Sequence, residues 1–319
     1  MREAVFSSTG FRIRAARPTA AADPVAGWAE RVAASLFFTF FPADCRICEA
    51  PLIQISRLPV CENCLHEPRR LGGSLCAVCG EACDFPADLE AAAGLCRLCR
   101  KAHPPFERAV AYGGYDGALR DLIHMLKFDQ VHPVAPVLGR MLADAITTLE
   151  ASLPPGVISV VPVPLFSKKK AQRGFNQAEV IARAALKHMS RPERFELVVR
   201  GFARLRDTGS QIGLSRHQRR KNLRGAFAVT DSTAIMERNI LLVDDVYTTG
   251  ATASECARVL GRAGAGRVWV ATVGRTLRMF DTAAIDAAIG EDLPEEQGQD
   301  ENREGRGSEE RVAIRARTA

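Results

Sequence analysis

The sequence predicts an α/β protein in which a parallel sheet follows a small cysteine-rich module. Ile240–Val243 is a continuous apolar run, typical of a strand that is buried on both faces of a parallel sheet. Ala251–Leu260 has helical spacing and is followed by a second apolar run, Val268–Val273, so the three segments form a strand–helix–strand crossover unit. Nine of the ten cysteines lie between Cys45 and Cys99, which separates the module from the sheet.

Composition is that of an ordinary globular chain. Of 319 residues, 47% are hydrophobic and 25% charged, which excludes collagen-like, fully disordered and coiled-coil proteins. The longest apolar stretch, Val32–Pro42, is about half the ~20 residues of a membrane span, so we expect no membrane insertion. No apolar run of signal-peptide length precedes Trp28, and the net charge of +6 is mild. We therefore expect a cytoplasmic protein whose clustered thiols bind metal rather than form disulfides.

Composition also divides the chain into four regions. Residues 1–40 are predicted to be a leader with a short apolar helix, and a disordered leader or a misassigned start is favoured over an organellar transit peptide. Residues 41–104 hold the clustered cysteines. Residues 105–280 alternate strands and helices, with a further strand expected at Ile158–Val163. Residues 281–319 are too polar to bury a core and are predicted to be a disordered charged tail.

Eight cysteines form four C-x-x-C pairs with the spacing of zinc ligands. Twelve residues separate the pairs of the first set and sixteen separate those of the second. Two zinc ribbons are favoured over reduced buried thiols or a redox pair, and four thiolates per ion leave no open position for catalysis. The predicted ligands are Cys45, Cys48, Cys61 and Cys64 in the first set, and Cys76, Cys79, Cys96 and Cys99 in the second.

The remaining potential ligands near these sets, Cys83 and His66, are interpreted as packing or surface residues. Because a short module of this kind takes most of its folding free energy from metal, we expect residues 45–104 to depend on zinc. The domain that begins at Phe106 is expected to fold without them, with the two metals held apart from it.

The string Ile240–Thr252 predicts a phosphate site. Asp244 and Asp245 end the apolar strand, and a loop of small and hydroxylic residues then opens a helix. Backbone N–H groups, hydroxyls and the helix dipole can surround a phosphate there. The carboxylates would repel a bare anion, so they are expected to accept hydrogen bonds from a ribose diol or to face Mg²⁺. The candidate phosphate-binding residues are Thr248, Thr249, Gly250, Ala251 and Thr252.

Three other interpretations of this string are weaker. A nucleotide-binding P-loop is excluded because the chain contains no Gly-Lys dipeptide. A phosphoaspartyl site is disfavoured because the Asp-x-Asp spacing of those hydrolases is absent from the string. An ordinary strand-to-helix turn with a threonine cap remains as the third interpretation.

The same string resembles the phosphoribosyl diphosphate (PRPP) signature of type I phosphoribosyltransferases, with Ala251 where many members have a second glycine. Two further strings narrow the resemblance to the ComF/GntX family. One is Val161–Leu165 followed by Gln172–Ala178, and the other runs from Arg204 to Arg216. Paired zinc ribbons ahead of the transferase-like domain also fit that family. The resemblance covers residues 40–280, about three quarters of the chain.

The resemblance implies a type I phosphoribosyltransferase-like domain, with a Rossmann-like parallel sheet, behind a double zinc ribbon. Asp244 and Asp245 would be the catalytic pair, holding the ribose hydroxyls of PRPP directly or through Mg²⁺. Lys168 and Arg173 would lie on the pyrophosphate side. The stretch that contains Arg206 and Arg216 would be a lid over the ligand, although a solvated basic face is the alternative.

Two functions follow, one enzymatic and one not. The first is a phosphoribosyltransferase of nucleotide metabolism that moves the ribosyl group of Mg-PRPP to an unidentified acceptor and releases pyrophosphate. The second is a cytoplasmic protein that handles single-stranded DNA in natural competence and DNA uptake, with competence proteins as partners and a non-catalytic phosphoribosyl site. Arg200–Arg224 carries eight Lys and Arg against the single acid Asp207, which suits phosphate contacts. Only Phe202 and Phe227 are nearby aromatics, fewer than a stacking platform needs.

Acceptor recognition in this superfamily lies in a variable hood, which we expect within Phe106–Glu150. Polar and aromatic residues there are candidates without a mechanism: Tyr112, Tyr115, Asp116, His124 and Lys127.

Overall fold

The computed structural model describes residues 44–52, 56–83, 94–208 and 216–277. The predicted leader helix and charged tail lie outside these ranges, so the outer limits of the four regions stay predictions. No helix within the described ranges is long and apolar enough to cross a membrane.

A five-stranded parallel sheet forms the centre of the fold, with strand order β1-β7-β6-β2-β3. Its strands are β1 (Arg108–Gly114), β2 (Ile158–Pro162), β3 (Phe195–Leu197), β6 (Ile240–Tyr247) and β7 (Val268–Arg275). A separate antiparallel ribbon pairs β4 (Phe202–Arg204) with β5 (Phe227–Val229). The predicted α/β class with a parallel sheet is confirmed.

Helices connect the strands and flank the sheet. The two in the cysteine-rich module are α1 (Glu62–His66) and α2 (Arg97–Lys101). Those of the sheet domain are α3 (Gly117–Lys127), α4 (Ala135–Thr147), α5 (Ser167–Arg173), α6 (Gln177–Leu186), α7 (Arg216–Leu223) and α8 (Ala251–Arg262). Short 3-10 turns occur at His132–Val134, Glu150–Ser152 and Pro192–Arg194.

The central strand β6 is buried on both faces, as its continuous apolar sequence predicts. Leu241 and Val243 belong to the core that contains Trp269 and the buried sides of α4 and α6. Ile240 and Leu242 face the opposite core, which contains the buried side of α8. Burial of both faces holds the end of β6 in a fixed position, and that end carries the two aspartates.

The cysteine-rich module lies along the outer edge of β1. The Leu71 N–H donates to the Tyr112 carbonyl, and the Ala109 N–H donates to the Val78 carbonyl, both at 2.7 Å. These bonds satisfy backbone groups that an edge strand would otherwise leave unpaired. A Cβ at Gly113 would lie 2.5 Å from the Arg69 carbonyl oxygen, so the approach requires glycine. The expectation that the module is held apart from the sheet domain was wrong, because the two share hydrogen bonds and cores.

Candidate ligand site and metal centres

Asp244 and Asp245 lie at the carboxyl end of β6, the edge at which open parallel sheets bind ligands. Burial raises the pKa of Asp244 to about 7, and the neighbouring Asp245 carboxylate adds to this shift. Lys127, the Asp245 N–H and Arg204 act in the opposite direction. That N–H donates to Asp244 Oδ1 at 2.9 Å, which fixes the orientation of the carboxyl group. The site therefore holds one acid that is close to titration at neutral pH.

Lys127, the last residue of α3, supplies the counter-charge to the second acid. Its Nζ lies 2.7 Å from Asp245 Oδ2, and the two side chains are only 17% and 6% exposed. Burial alone would lower the pKa of Lys127, but attraction to Asp245 and Asp244 outweighs it and raises that pKa. Lys127 is therefore charged at the centre of the site.

The loop after β6 is shaped for a close approach by an anion. Gly250 has φ +76° and precedes α8, and a Cβ there would clash with the Tyr247 hydroxyl. Thr248 is exposed, whereas Thr249 Oγ1 is buried and has no hydrogen-bond partner among the described residues. A hollow of about 20 Å³ is lined by this loop together with Asp244. Thr248 and Thr249 also line a larger cavity of about 240 Å³, where a small anion with several acceptor oxygens would satisfy the free hydroxyl. The N–H groups that open α8 offer further donors.

Two arginines from other elements also act on the aspartates. Burial lowers the pKa of Arg173, and the charge of Asp245 opposes that shift. Burial likewise lowers the pKa of Arg204, against the opposing charges of Asp244 and Asp207. A guanidinium remains charged under such shifts, so the carboxylate pair faces cations from α3, α5 and β4.

The expected hood forms a short polar arrangement beside Lys127. Tyr115 follows β1, and its hydroxyl lies 3.0 Å from His124 Nε2. Burial lowers the pKa of His124, and the cations Arg120 and Lys127 lower it further. His124 is therefore neutral at pH 7, and one ring nitrogen is occupied by Tyr115.

Both cysteine sets come together as the spacing predicts. Within each set the four Sγ atoms lie within 4.8 Å of one another. Between the pairs of each set, the Sγ atoms of Cys48 and Cys61 and those of Cys79 and Cys96 lie 3.6 Å apart. Four sulfurs at such distances fit the tetrahedral thiolate site of a structural zinc ion, so each set could hold one. Cys83 lies outside the second set, as expected.

Backbone N–H groups point at the sulfurs in both sets. Cys45 Sγ accepts from the N–H of Cys61 at 3.4 Å, and Cys76 Sγ accepts from the N–H of Cys96 at 3.3 Å. Hydrogen bonds of this kind stabilise thiolates rather than thiols, and they orient the ligands from outside the metal's own coordination shell. All four cysteines of the second set are buried, whereas Cys48 of the first is exposed.

No protein-family model matches the chain. The chain is 33% identical to the DNA utilization protein YhgH of Shigella flexneri over 240 residues, which are 74% of this chain and 98% of the relative. It is 30% identical to competence protein F of Haemophilus influenzae over 236 residues, 72% of this chain and 96% of the relative. The chain belongs to the ComF/GntX family. Competence protein ComFC of Bacillus subtilis is 25% identical over 207 residues, 63% of this chain and 77% of that protein.

Two solved structures are similar to part of this ComF/GntX protein. One is described as the allosteric regulatory enzyme of purine biosynthesis, with 21% identity, a TM-score of 0.28 and coverage of 44% of this chain and 26% of that one. The other is glutamine PRPP amidotransferase from B. subtilis, with 19% identity, a TM-score of 0.29 and coverage of 50% and 34%. The fold is defined by the strand order β1-β7-β6-β2-β3.

The predicted basic residues of this ComF/GntX protein fall in different places. The Arg173 guanidinium donates to Gln177 Oε1 at 2.5 Å and lies 5.5 Å from the centre of the Phe128 ring, near Asp245. Lys168 is exposed on α5. Arg206 donates to the backbone carbonyls of Asn222 and Arg224, at 2.8 and 3.0 Å, so its guanidinium closes the end of α7. The side chain of Arg216 lies outside what the structure describes.

Sequence reasoning named Lys127 but found no role for it. Lys127 and Asp245 are 118 positions apart in the chain, so no local sequence motif predicts their contact. The one sequence feature that could have predicted the contact is the position of Lys127 at the end of the amphipathic helix α3, which follows the edge strand β1. A cation there reaches back over the carboxyl edge of the sheet.

Proposed function

We propose that the carboxyl edge of the sheet binds PRPP or a related ribose 5-phosphate, with Mg²⁺. The proposal is supported by the order in which polar side chains occur from the end of β6 to the start of α8. The half-buried carboxyl group of Asp244 and the buried one of Asp245 come first, and a loop with an unpartnered hydroxyl follows within four residues of Asp245. A ligand with a diol at one end and a phosphate at the other matches that order.

Each end of the site has a distinct role. Asp244 and Asp245 hold the ribose hydroxyls, directly or through Mg²⁺, and residues 248–252 bind the 5-phosphate. Arg173, which is within electrostatic reach of Asp245, lies on the pyrophosphate side, where a pyrophosphate oxygen would replace Gln177 as its acceptor. Mg²⁺, when bound with the ligand, neutralises charge on the leaving pyrophosphate.

We propose that the reaction is ribosyl transfer to an acceptor that remains unidentified. The C1–O bond breaks and its electron pair leaves with pyrophosphate. A lone pair of the acceptor atom forms the new bond to C1, and the proton carried by that atom passes to solvent. Positive charge develops on the ribose as the bond breaks, and the aspartates stabilise it while Arg173 stabilises the departing anion.

A second function, in the handling of single-stranded DNA, is supported about as well. The relatives are named for DNA utilization and competence. Helix α7 carries Arg216, Arg219, Arg220 and Lys221 without an acid, and Arg219 Nη1 lies 3.4 Å from Thr248 Oγ1 of the phosphate loop. Such a helix suits contact with a phosphate backbone. The two functions are compatible if the DNA surface lies beside the ribosyl site.

Isothermal titration with PRPP, with and without Mg²⁺, tests the first function. The expected result is saturable binding that Mg²⁺ strengthens, followed by pyrophosphate release when a panel of nucleobases is added. The absence of any heat of binding at millimolar PRPP, in protein that retains its zinc, would contradict the ligand assignment. Binding without turnover on any base would favour the non-catalytic DNA role.

A further inference from the structure

Arg275 connects the second cysteine set to the sheet domain. It is the last residue of β7, and its side chain is 3% exposed. The guanidinium donates to the Cys79 carbonyl and to Glu81 Oε2, the latter at 2.5 Å, and Nη2 lies 3.8 Å from Cys79 Sγ. A buried cation needs such acceptors, so Arg275 keeps this position only while the turn of Cys79 and Glu81 keeps its own.

The same guanidinium supports the phosphate loop from the other side. It lies 4.5 Å from the centre of the Tyr247 ring, a distance at which a cation and an aromatic face attract. Tyr247 ends β6, and its hydroxyl lies so close to Gly250 that only glycine fits there. Tyr247 therefore fixes the position of the loop at Gly250, and Arg275 fixes the position of the Tyr247 ring.

A cavity of about 240 Å³ separates the module from the loop beside this connection. Its walls include Cys79 and Cys99 on one side and Thr248 and Thr249 on the other, with Arg275 between them. Glu81, Arg275 and Tyr247 also line this cavity, and their contacts join the turn of the second cysteine set to the phosphate loop. The first cysteine set has no such contact with the loop among the described residues, because Cys45 and Cys64 pack in the opposite core.

We propose that the second cysteine set, once it holds zinc, positions the phosphate loop through Arg275 and Tyr247. Arg275 is then a positioning residue for phosphate binding. This inference rests on the proposed function, since it concerns the same loop. Coupling between two sites is reciprocal in binding free energy, so a ligand that binds the loop must raise the affinity of the second set for zinc and leave that of the first set unchanged. Tighter binding of zinc protects the cysteines of the second set from alkylation.

Site-resolved zinc release tests the coupling. The full chain, loaded with zinc, is exposed to a chelator and to short pulses of a thiol-alkylating reagent, and mass spectrometry reads the cysteines of each set separately. Ribose 5-phosphate is the probe, because a diphosphate itself binds metal ions. We expect it to slow alkylation of the second set at least about fivefold, the lower end of typical couplings, with no change at the first set. Equal slowing at both sets, or none at either with ligand bound, would overturn the proposal.

Three variants locate the path. Glu81→Gln keeps the shape of the acceptor and removes its charge, and Tyr247→Leu removes the ring beneath the loop. Both should retain two zinc ions and lose most of the protection by ribose 5-phosphate. Arg238→Gln is the matched control, because it breaks an arginine–glutamate pair to Glu196 at 2.5 Å elsewhere on the sheet. Full protection in Glu81→Gln and Tyr247→Leu would contradict the path.

A ligand-free measurement separates this inference from the proposed function. Amide hydrogen exchange of residues 245–252 reports the position of the loop without any ligand. We expect Glu81→Gln to speed exchange there at least fivefold relative to wild type and Arg238→Gln. Unchanged exchange would overturn the coupling even if ribose 5-phosphate binds. Faster exchange in a protein that does not bind ribose 5-phosphate would support the coupling and contradict the ligand assignment.

Discussion

Lys127 Nζ lies 2.7 Å from Asp245 Oδ2, so a helix that follows the edge strand neutralises a carboxylate on the central strand. The pair is buried at the point where the ligand is proposed to bind. The proposed ligand would therefore contact the Lys127 ammonium group, and a phosphate oxygen could accept a hydrogen bond from it. The consequences of this pair can be measured.

Replacing Lys127 with Met should destabilise the protein by about 3 kcal/mol, because it leaves a buried carboxylate without its counter-charge. The double variant Lys127→Met/Asp245→Asn should recover much of that loss, since no charge is then stranded. Urea unfolding in the presence of zinc gives both values. Additive losses in the double variant would show that the two side chains do not interact.

Asp244→Asn and Asp245→Asn should each weaken PRPP binding ten- to a hundredfold, about 1.5–3 kcal/mol for a lost charged hydrogen bond. The two variants should differ in stability. Asp245→Asn leaves the buried Lys127 without its counter-charge and should lower the free energy of unfolding. Asp244→Asn should lower it less, because burial already opposes ionisation of that carboxyl group. Calorimetric titration and thermal unfolding measure the two effects. Equal PRPP affinity in wild type and both variants would contradict the site.

The raised pKa of Asp244, about 7 against an ordinary 3.8, predicts two opposite trends with pH. Because the folded pKa is raised, the contribution of Asp244 to stability is complete below about pH 4 and is lost as the pH rises through 7. Affinity for Mg-PRPP should rise about tenfold between pH 6 and 8, as the ionised fraction grows from about a tenth to nine tenths. Asp244→Asn should retain only the ligand's own titration near pH 6. The same pH profile in wild type and Asp244→Asn would contradict this assignment.

Purified protein should contain two zinc ions per chain. Cys45→Ser should reduce this to one, and Cys76→Ser should do the same. Because the module covers the edge of β1, loss of either metal should also lower the thermal stability of the sheet domain. Elemental analysis and calorimetry test this. Less than one zinc per chain, with every thiol titratable in the native protein, would contradict the metal assignment.

PRPP and single-stranded DNA should compete in part, because Arg219 of α7 already contacts Thr248 of the phosphate loop. The anisotropy of a labelled oligonucleotide, measured with and without saturating Mg-PRPP, gives the shift. DNA affinity should fall with salt by a log–log slope of about −0.7 per phosphate neutralised, and that slope alone does not separate the functions. An unchanged isotherm would indicate separate surfaces. Complete displacement, with pyrophosphate release on a base, would favour the enzyme.

Local patterns in the sequence were sufficient for the elements that carry chemistry. The apolar run of β6, the two aspartates and the small residues that open α8 are contiguous, so their order along the chain is also their order in space. The C-x-x-C pairs are also local patterns, because a spacing of two residues allows both sulfurs to bind one metal ion. Arg206 is the opposite case. Its motif predicts a ligand contact, which stays a prediction, and the motif gave no sign that its guanidinium would bind backbone carbonyls at the end of α7.

Only the tertiary structure could decide which distant residues meet. Lys127 reaches Asp245, and Arg275 reaches Glu81 across 194 positions of chain, through the order in which strands align in the sheet. That order depends on burying both faces of β6 and on covering the edge of β1, which are properties of the whole molecule. The sequence by itself therefore determined the parallel-sheet fold and the two sets of four cysteines, and it supplied the candidate ligand site at the end of β6. The tertiary structure decided which cation neutralises Asp245 and which side chains connect the cysteine-rich module to the phosphate loop. These contacts could not be predicted because residues that are far apart in the chain and meet in the fold produce no periodic pattern in the sequence.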